Sequence, residues 1–125
     1  MEFLDLPLCK EYYEMIERGE KPEEYREKKA YWIVRLFEWR FIPNAHAVVT
    51  ERITMEEACR IADEGFDAYC GHLVPKRYDA VRFSYGYTKR RMLWEYRGLD
   101  FGQGRPEWGA PDHETFIIKL GERIQ

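Results

Sequence analysis

The chain predicts an α+β fold built around a curved sheet or small barrel. Strand-like stretches outnumber helical ones, only two stretches clearly repeat at helical spacing, and a period-two pattern turns back on itself near Gly86. The 125 residues hold no internal repeat and no linker rich in Gly, Ser or Pro, so a single domain is expected.

The elements follow in order. Glu2 to Leu6 is short and apolar and reads as a strand. Leu8, Tyr12, Met15 and Ile16 then recur at helical spacing as far as Gly19, with Lys10, Glu11, Glu14, Glu17 and Arg18 as the solvated face. Pro22 holds Lys21 in extended geometry and bars a helix from running through, so a turn should lead into a strand. Alternation along that strand puts Glu24 and Arg26 on one surface and turns Tyr25 inward. Tyr31 to Ile42 is too apolar to be exposed, and its period does not separate helix from strand. Thr54-Met55-Glu56-Glu57 has the form of a capping box, and Met55, Ala58, Cys59 and Ala62 continue it as an amphipathic helix up to Gly65. Val81, Phe83 and Tyr85, then Met92, Trp94 and Tyr96, alternate on either side of a turn at Gly86 to Lys89 and read as a hairpin. Gly102 to Glu114 is a loop with three Gly and two Pro residues, and Thr115 to Leu120 is a closing strand.

Composition bounds the function. With 45% hydrophobic and 16% aromatic residues the chain can bury a core, which argues against disorder and collagen-like structure. No apolar run approaches the roughly 20 residues of a membrane span, and Met1 to Asp5 lacks the basic start of a secretion signal, so a cytoplasmic protein with no membrane partner is expected. Cys9, Cys59 and Cys70 form an odd, widely spaced set that makes a poor disulfide framework and reads as buried or incidental thiols. Lys and Arg total 20 against 23 Asp and Glu, a net charge of -3, so any anionic partner needs a local basic site. Cys59, Cys70, His72 and His46 are the only metal-type cluster; their spacing matches no usual ligand pattern, and no metal or cofactor is expected. The sequence contains no Ser-His-Asp motif, P-loop or GxGxxG, and nucleophilic catalysis has no clear nucleophile.

The richest chemistry lies in Gly19-Glu20-Lys21-Pro22-Glu23-Glu24-Tyr25-Arg26, which fits G-x-K-x-x-E-x-R. Lys21 would offer a mobile ammonium on the turn, and the planar fork of Arg26 suits bidentate contact with phosphate or carboxylate. Glu24 would orient that fork or accept a proton. The competing reading is a surface ion pair on an edge strand, and spacing alone favours it.

The string resembles the signature of the ASCH domain, a family with a PUA-like β-barrel fold and flanking helices. The likeness extends to Leu4-Asp5-Leu6-Pro7-Leu8, Tyr12-Tyr13, Tyr31-Trp32, Arg35-Leu36, Tyr78 to Phe83, Gly86-Tyr87, Gly102 to Ala110 and Phe116 to Gly121, in the manner of the bacterial and phage branch. Residues 44–76 have no counterpart in that pattern and read as an insertion. The resemblance implies binding of RNA or a nucleotide in a cleft beside the signature. One branch of the family is an amidohydrolase of acetylated cytidine that pairs the signature Lys with a Thr and a distant Glu. Here Glu24 stands at the Thr position and cannot serve as a hydroxyl nucleophile, which weakens the hydrolase alternative without removing it.

Locally, Arg82, Lys89, Arg90, Arg91 and Arg97 gather around the hairpin among aromatic residues, a combination suited to phosphates and splayed bases. Burial in the core is the better reading for the alternating aromatics, which leaves Tyr85 and Tyr87 near the turn as stacking candidates. Arg105 and Trp108, on their Gly- and Pro-framed loop, have the character of a ligand-contacting segment, though a rigid structural loop fits equally. The expected ligand-binding set is therefore Lys21, Glu24, Arg26, Arg82, Tyr85, Tyr87, Arg105 and Trp108. Lys21 and Glu24 would be catalytic only if the protein is a hydrolase of modified nucleosides, and a protein-interaction domain is the third reading. Oligomeric state is not legible.

Overall fold

Leu4, Leu6 and Leu8 alternate with outward-facing Asp5 and Pro7, and this period-two burial is what makes Phe3–Leu8 a strand, β1. The computed structural model describes residues 1–44 and 47–125. After β1 come helix α1 (Lys10–Glu17), β2 (Glu23–Arg26), α2 (Ala30–Leu36), β3 (Phe37–Asn44), β4 (Ala47–Arg52), α3 (Met55–Glu64), β5 (Leu73–Pro75), β6 (Ala80–Tyr85), β7 (Arg91–Gly102) and β8 (Thr115–Arg123). The fold is α+β. The chain divides into two compact units, Met1–Arg26 with Arg77–Gln125, and Glu27–Lys76.

In the first unit five strands form one sheet in the order β1-β6-β7-β8-β2. β1 pairs in parallel with β6, and the other ladders are antiparallel. The β7–β8 register shifts twice, between Trp94 and Tyr96 and between Tyr96 and Gly98, where Gly98 takes a positive φ of 107°. Such bulges increase local twist and bend a strand, and the sheet curls into a half-barrel. Tyr13 and Ile16 of α1 are fully buried, and so are Leu4, Leu6, Val81, Phe83, Phe116 and Ile118 of the sheet. Gly19, at φ 79°, ends α1, and Gly19 and Glu20 donate backward to the carbonyls of Ile16 and Met15. The expected turn is therefore in place, and it delivers Lys21 directly to the start of β2.

The second unit holds a three-stranded sheet, β4-β3-β5, with α2 and α3. Residues 31–42, undecided between helix and strand by period, are both. Ile33 and Leu36 bury one side of a short helix, then Phe37 adopts φ -132° and ψ 160° and the chain continues as β3. Thr54 and Glu57 exchange the two bonds of the capping box at 3.1 and 3.0 Å. Phe37 packs against Phe66 with ring centroids 5.0 Å apart. The stretch 44–76, expected from the sequence to be an insertion, lies within this unit.

All three cysteines are free and exposed, so burial is not their role. Among the described residues no helix is long and apolar enough to cross a membrane.

Candidate functional site

Lys21 is 1% exposed. The expectation of a mobile ammonium on a turn is thus overturned: the side chain runs inward and is enclosed on every side. Nζ lies 3.1 Å from Glu24 Oε1, sits 4.6 Å from the centre of the Tyr25 ring and 5.1 Å from that of Tyr12, and donates to the backbone carbonyl of Trp108. A carboxylate, two aromatic faces and a carbonyl oxygen replace the water that an ammonium would otherwise hold.

Glu24 is 4% exposed, and its carboxylate is the hub. Oε1 faces Lys21 and also accepts the Tyr25 backbone N–H at 3.0 Å, while Oε2 accepts Arg26 Nη1 at 2.7 Å. Arg26 Nη1 also reaches the Tyr25 carbonyl at 2.9 Å, and Nη2 reaches the Pro7 carbonyl at 3.1 Å. Glu24 and Arg26 do share a side, but they are not a surface pair. β2 pairs with the fully buried start of β8, where Thr115, Phe116, Ile117 and Ile118 are all covered, so neither face of the strand is open there. Two cations thus converge on one carboxylate.

The loop after β7 supplies the cover. Gly104 passes so close to Tyr25 that an added Cβ would lie 2.2 Å from a ring carbon, and Gly109, at φ 93°, would place a Cβ 2.5 Å from the Tyr12 ring. Between them a single helical turn, Pro106–Trp108, brings the Trp108 carbonyl onto Lys21. The Arg105 backbone N–H donates to the Tyr25 hydroxyl at 3.1 Å, and the Arg105 guanidinium lies over the Trp108 ring at 4.8 Å. The Tyr25 hydroxyl in turn donates to Glu23 at 2.7 Å, and Glu23 is paired with Lys119 at 2.8 Å.

Titration follows from these surroundings. Burial pushes the Lys21 ammonium below its ordinary pKa, and Glu24 opposes that shift without cancelling it. Burial also pushes the Tyr25 phenol up; the Arg105 N–H works against this, and the bond to Glu23 adds to it. For Glu23 burial acts upward too, yet the donors Lys119 and Tyr25 hold its carboxyl below the usual range.

Of the eight residues expected to bind ligand, five meet here: Lys21, Glu24 and Arg26 through their side chains, Trp108 and Arg105 through the loop. The other three lie elsewhere. Arg82 pairs with Asp5 at 2.6 and 3.1 Å; Tyr85 packs edge-on against Tyr13 with Arg90 over its ring; Tyr87 is fully exposed on the hairpin turn. The basic hairpin is also less free than its sequence suggests, since Arg90 is held by Glu17 at 2.9 Å and Arg97 lies 3.5 Å from Glu95. Tyr12, Gly104 and Gly109 belong to the site and were not anticipated. The available signal was the pair of glycines bracketing Trp108, a spacing that suits a backbone passing over flat rings.

Among the described residues no three His, Cys, Asp or Glu side chains come together to hold a metal ion, and His46 lies outside those residues. Compared with protein-family models, curated proteins and solved structures, the chain matches none.

Proposed function

We propose that the unit formed by Met1–Arg26 and Arg77–Gln125 is an RNA- or nucleotide-binding module of PUA-like, ASCH type, its half-barrel completed across the edges of β1 and β2. Ligand reaches the Lys21–Glu24–Arg26 centre when the Arg105–Gly109 segment lifts. One observation carries this reading: a lysine 1% exposed, joined to a carboxylate 4% exposed that also holds a part-buried arginine. Burying such charges costs several kcal/mol per ion, so stability alone gives a poor reason to keep them. A centre of perturbed, convergent polar groups is the usual mark of a binding site. The Lys21 and Arg26 donors suit phosphate or carbonyl oxygens, and Tyr12 and Tyr25 offer ring faces for a base once the glycines move off them. Three exposed free thiols fit a reducing, cytoplasmic setting.

A second reading, hydrolysis of a modified nucleoside, is favoured by the downward shift of the Lys21 pKa. Against it, Glu24 already faces three donors and has little capacity left to act as a general base. Incubation with acetylated and other modified cytidines separates the two readings. A binding module leaves them unchanged, whereas turnover that disappears in Lys21→Met establishes the hydrolase.

A further inference from the structure

A second feature of the first unit lies away from the Lys21 centre: a cavity of about 370 Å³ on the sheet, lined by Phe3, Arg82, Arg91, Met92, Leu93 and Gln125. That volume is near the lower end of small-ligand sites. No Asp or Glu side chain lines it, and the main-chain oxygen of Gln125 on its wall is taken up by the Leu93 N–H and Arg123 Nε at 2.9 and 3.2 Å. Arg82 spends two N–H groups on Asp5 and rests on the Phe3 ring at 5.1 Å, which leaves three of its five donors without a partner among the described residues. Arg91 donates only through Nη1, to the backbone carbonyls of Thr88 and Arg90, so its other three donors are likewise unused and its charge meets no carboxylate among the described residues. Leu93 and Gln125 close one wall through reciprocal backbone bonds of 2.9 and 3.2 Å.

Two guanidinium forks with spare donors, set beside an aromatic ring and a leucine, match one ligand chemistry. We infer that the cavity is a phosphate-binding site, in which Arg91 and the free edge of Arg82 grip the phosphoryl oxygens while the attached organic group rests against Phe3 and Leu93. Asp5 acts as a positioning residue that fixes the Arg82 plane. The phosphate would come either from a free nucleotide or from a single strand. β1 relates the site to the Lys21 centre: Arg26 bonds Pro7, four residues from Phe3, a separation of about 13 Å along the strand. The cavity stands on its own donors, however, and does not require the Lys21 centre to bind anything.

Amide chemical shifts of the full chain, titrated with inorganic phosphate, adenosine monophosphate and a six-nucleotide single-stranded RNA at low salt, test this. Saturable shifts centred on Arg82 and Arg91 to Leu93, weakened about tenfold or more by Arg91→Gln but unchanged by Arg97→Gln, are the expected result. Arg91 is exposed and bonds only backbone, so its replacement leaves the fold in place, which the unperturbed spectrum of the variant verifies. Equal affinity for the mononucleotide and the RNA supports the site and assigns it to free nucleotides. Tighter binding of the RNA, with shifts extending to Arg26, supports it as a strand subsite. Absence of shifts at these residues with all three probes, or wild-type affinity in Arg91→Gln, overturns it. The same titration of Lys21→Met keeps the two sites separate, because loss of the Lys21 centre leaves the cavity response intact.

Discussion

Arg26 Nη2 donates to the carbonyl of Pro7 at 3.1 Å, a bond that joins β2 to β1, the two edges of the five-stranded sheet. The same guanidinium holds Glu24 and the Tyr25 carbonyl. One planar fork thus spans the gap that a strand ladder would otherwise close, and Pro7, with no N–H to offer, helps keep that edge from pairing with another chain. A lysine cannot reproduce the three contacts, because its donors radiate from one nitrogen. Arg26→Lys is therefore expected to lower unfolding stability by about 1–3 kcal/mol, read from urea denaturation. A variant as stable as the wild type would mean that the fork does not tie the edges.

Glu24 answers two cations, and the order of damage at the centre follows from that. Glu24→Gln takes from Lys21 and Arg26 the carboxylate they share and should cost about 3–5 kcal/mol. Lys21→Met removes one cation and leaves the Glu24–Arg26 pair intact, so it should cost less. Parallel denaturation curves give the ranking, and a larger loss in Lys21→Met would place the electrostatic hub elsewhere.

Much of this fold was legible in the sequence because its signals are local. The β1 alternation, the Gly19 stop, the Thr54–Glu57 box and the hairpin around Gly86 each involve neighbouring residues and leave a pattern in the chain. Residues 31–42 resisted because Ile33 and Leu36 satisfy a helix while Phe37 onward satisfies a strand, and a single period cannot describe both. The membership of Lys21, Glu24 and Arg26 in one site was readable from spacing, but their burial was not. That burial depends on Gly104 and Gly109 lying over Tyr25 and Tyr12, contacts some 80 and 97 residues apart in the chain that no local pattern encodes. The hairpin arginines misled for the same reason, since their partners Asp5 and Glu17 come from distant segments.

The depressed Lys21 pKa makes a signed prediction for alkaline pH. Between its folded-state pKa and its ordinary value of about 10.4, the unfolded chain carries a proton that the folded chain has released. Stability contributed by Lys21 therefore rises with pH through that window. The wild type minus Lys21→Met difference in unfolding free energy should show this upward slope, and a flat or falling difference would refute it. Tyr96, pushed up to about 12 by burial, acts in the opposite direction at higher pH, where the unfolded phenol ionises first. Replacing it with Phe should remove a fall in stability that begins near pH 10.

Gly109 and Gly104 lie against the Tyr12 and Tyr25 rings that face Lys21. Gly109→Ala forces a Cβ into the Tyr12 ring and strains a positive φ, and Gly104→Ala does the former against Tyr25. Either should lift the Arg105–Gly109 segment, expose Lys21 and raise its rate of modification by an amine-acylating reagent at least tenfold, read by peptide mass spectrometry. Slow labelling in the wild type with unchanged slow labelling in both variants would show that the segment does not cover the lysine.

The proposed function places ligand at the Lys21–Glu24–Arg26 centre. Calorimetric titration of wild type, Lys21→Met and Arg26→Ala with short single-stranded RNA and nucleoside monophosphates, at two salt concentrations, tests it most directly. Wild-type binding should weaken as salt rises, and both variants should lose tenfold or more. No binding by the wild type, or full binding that ignores both substitutions, would contradict it.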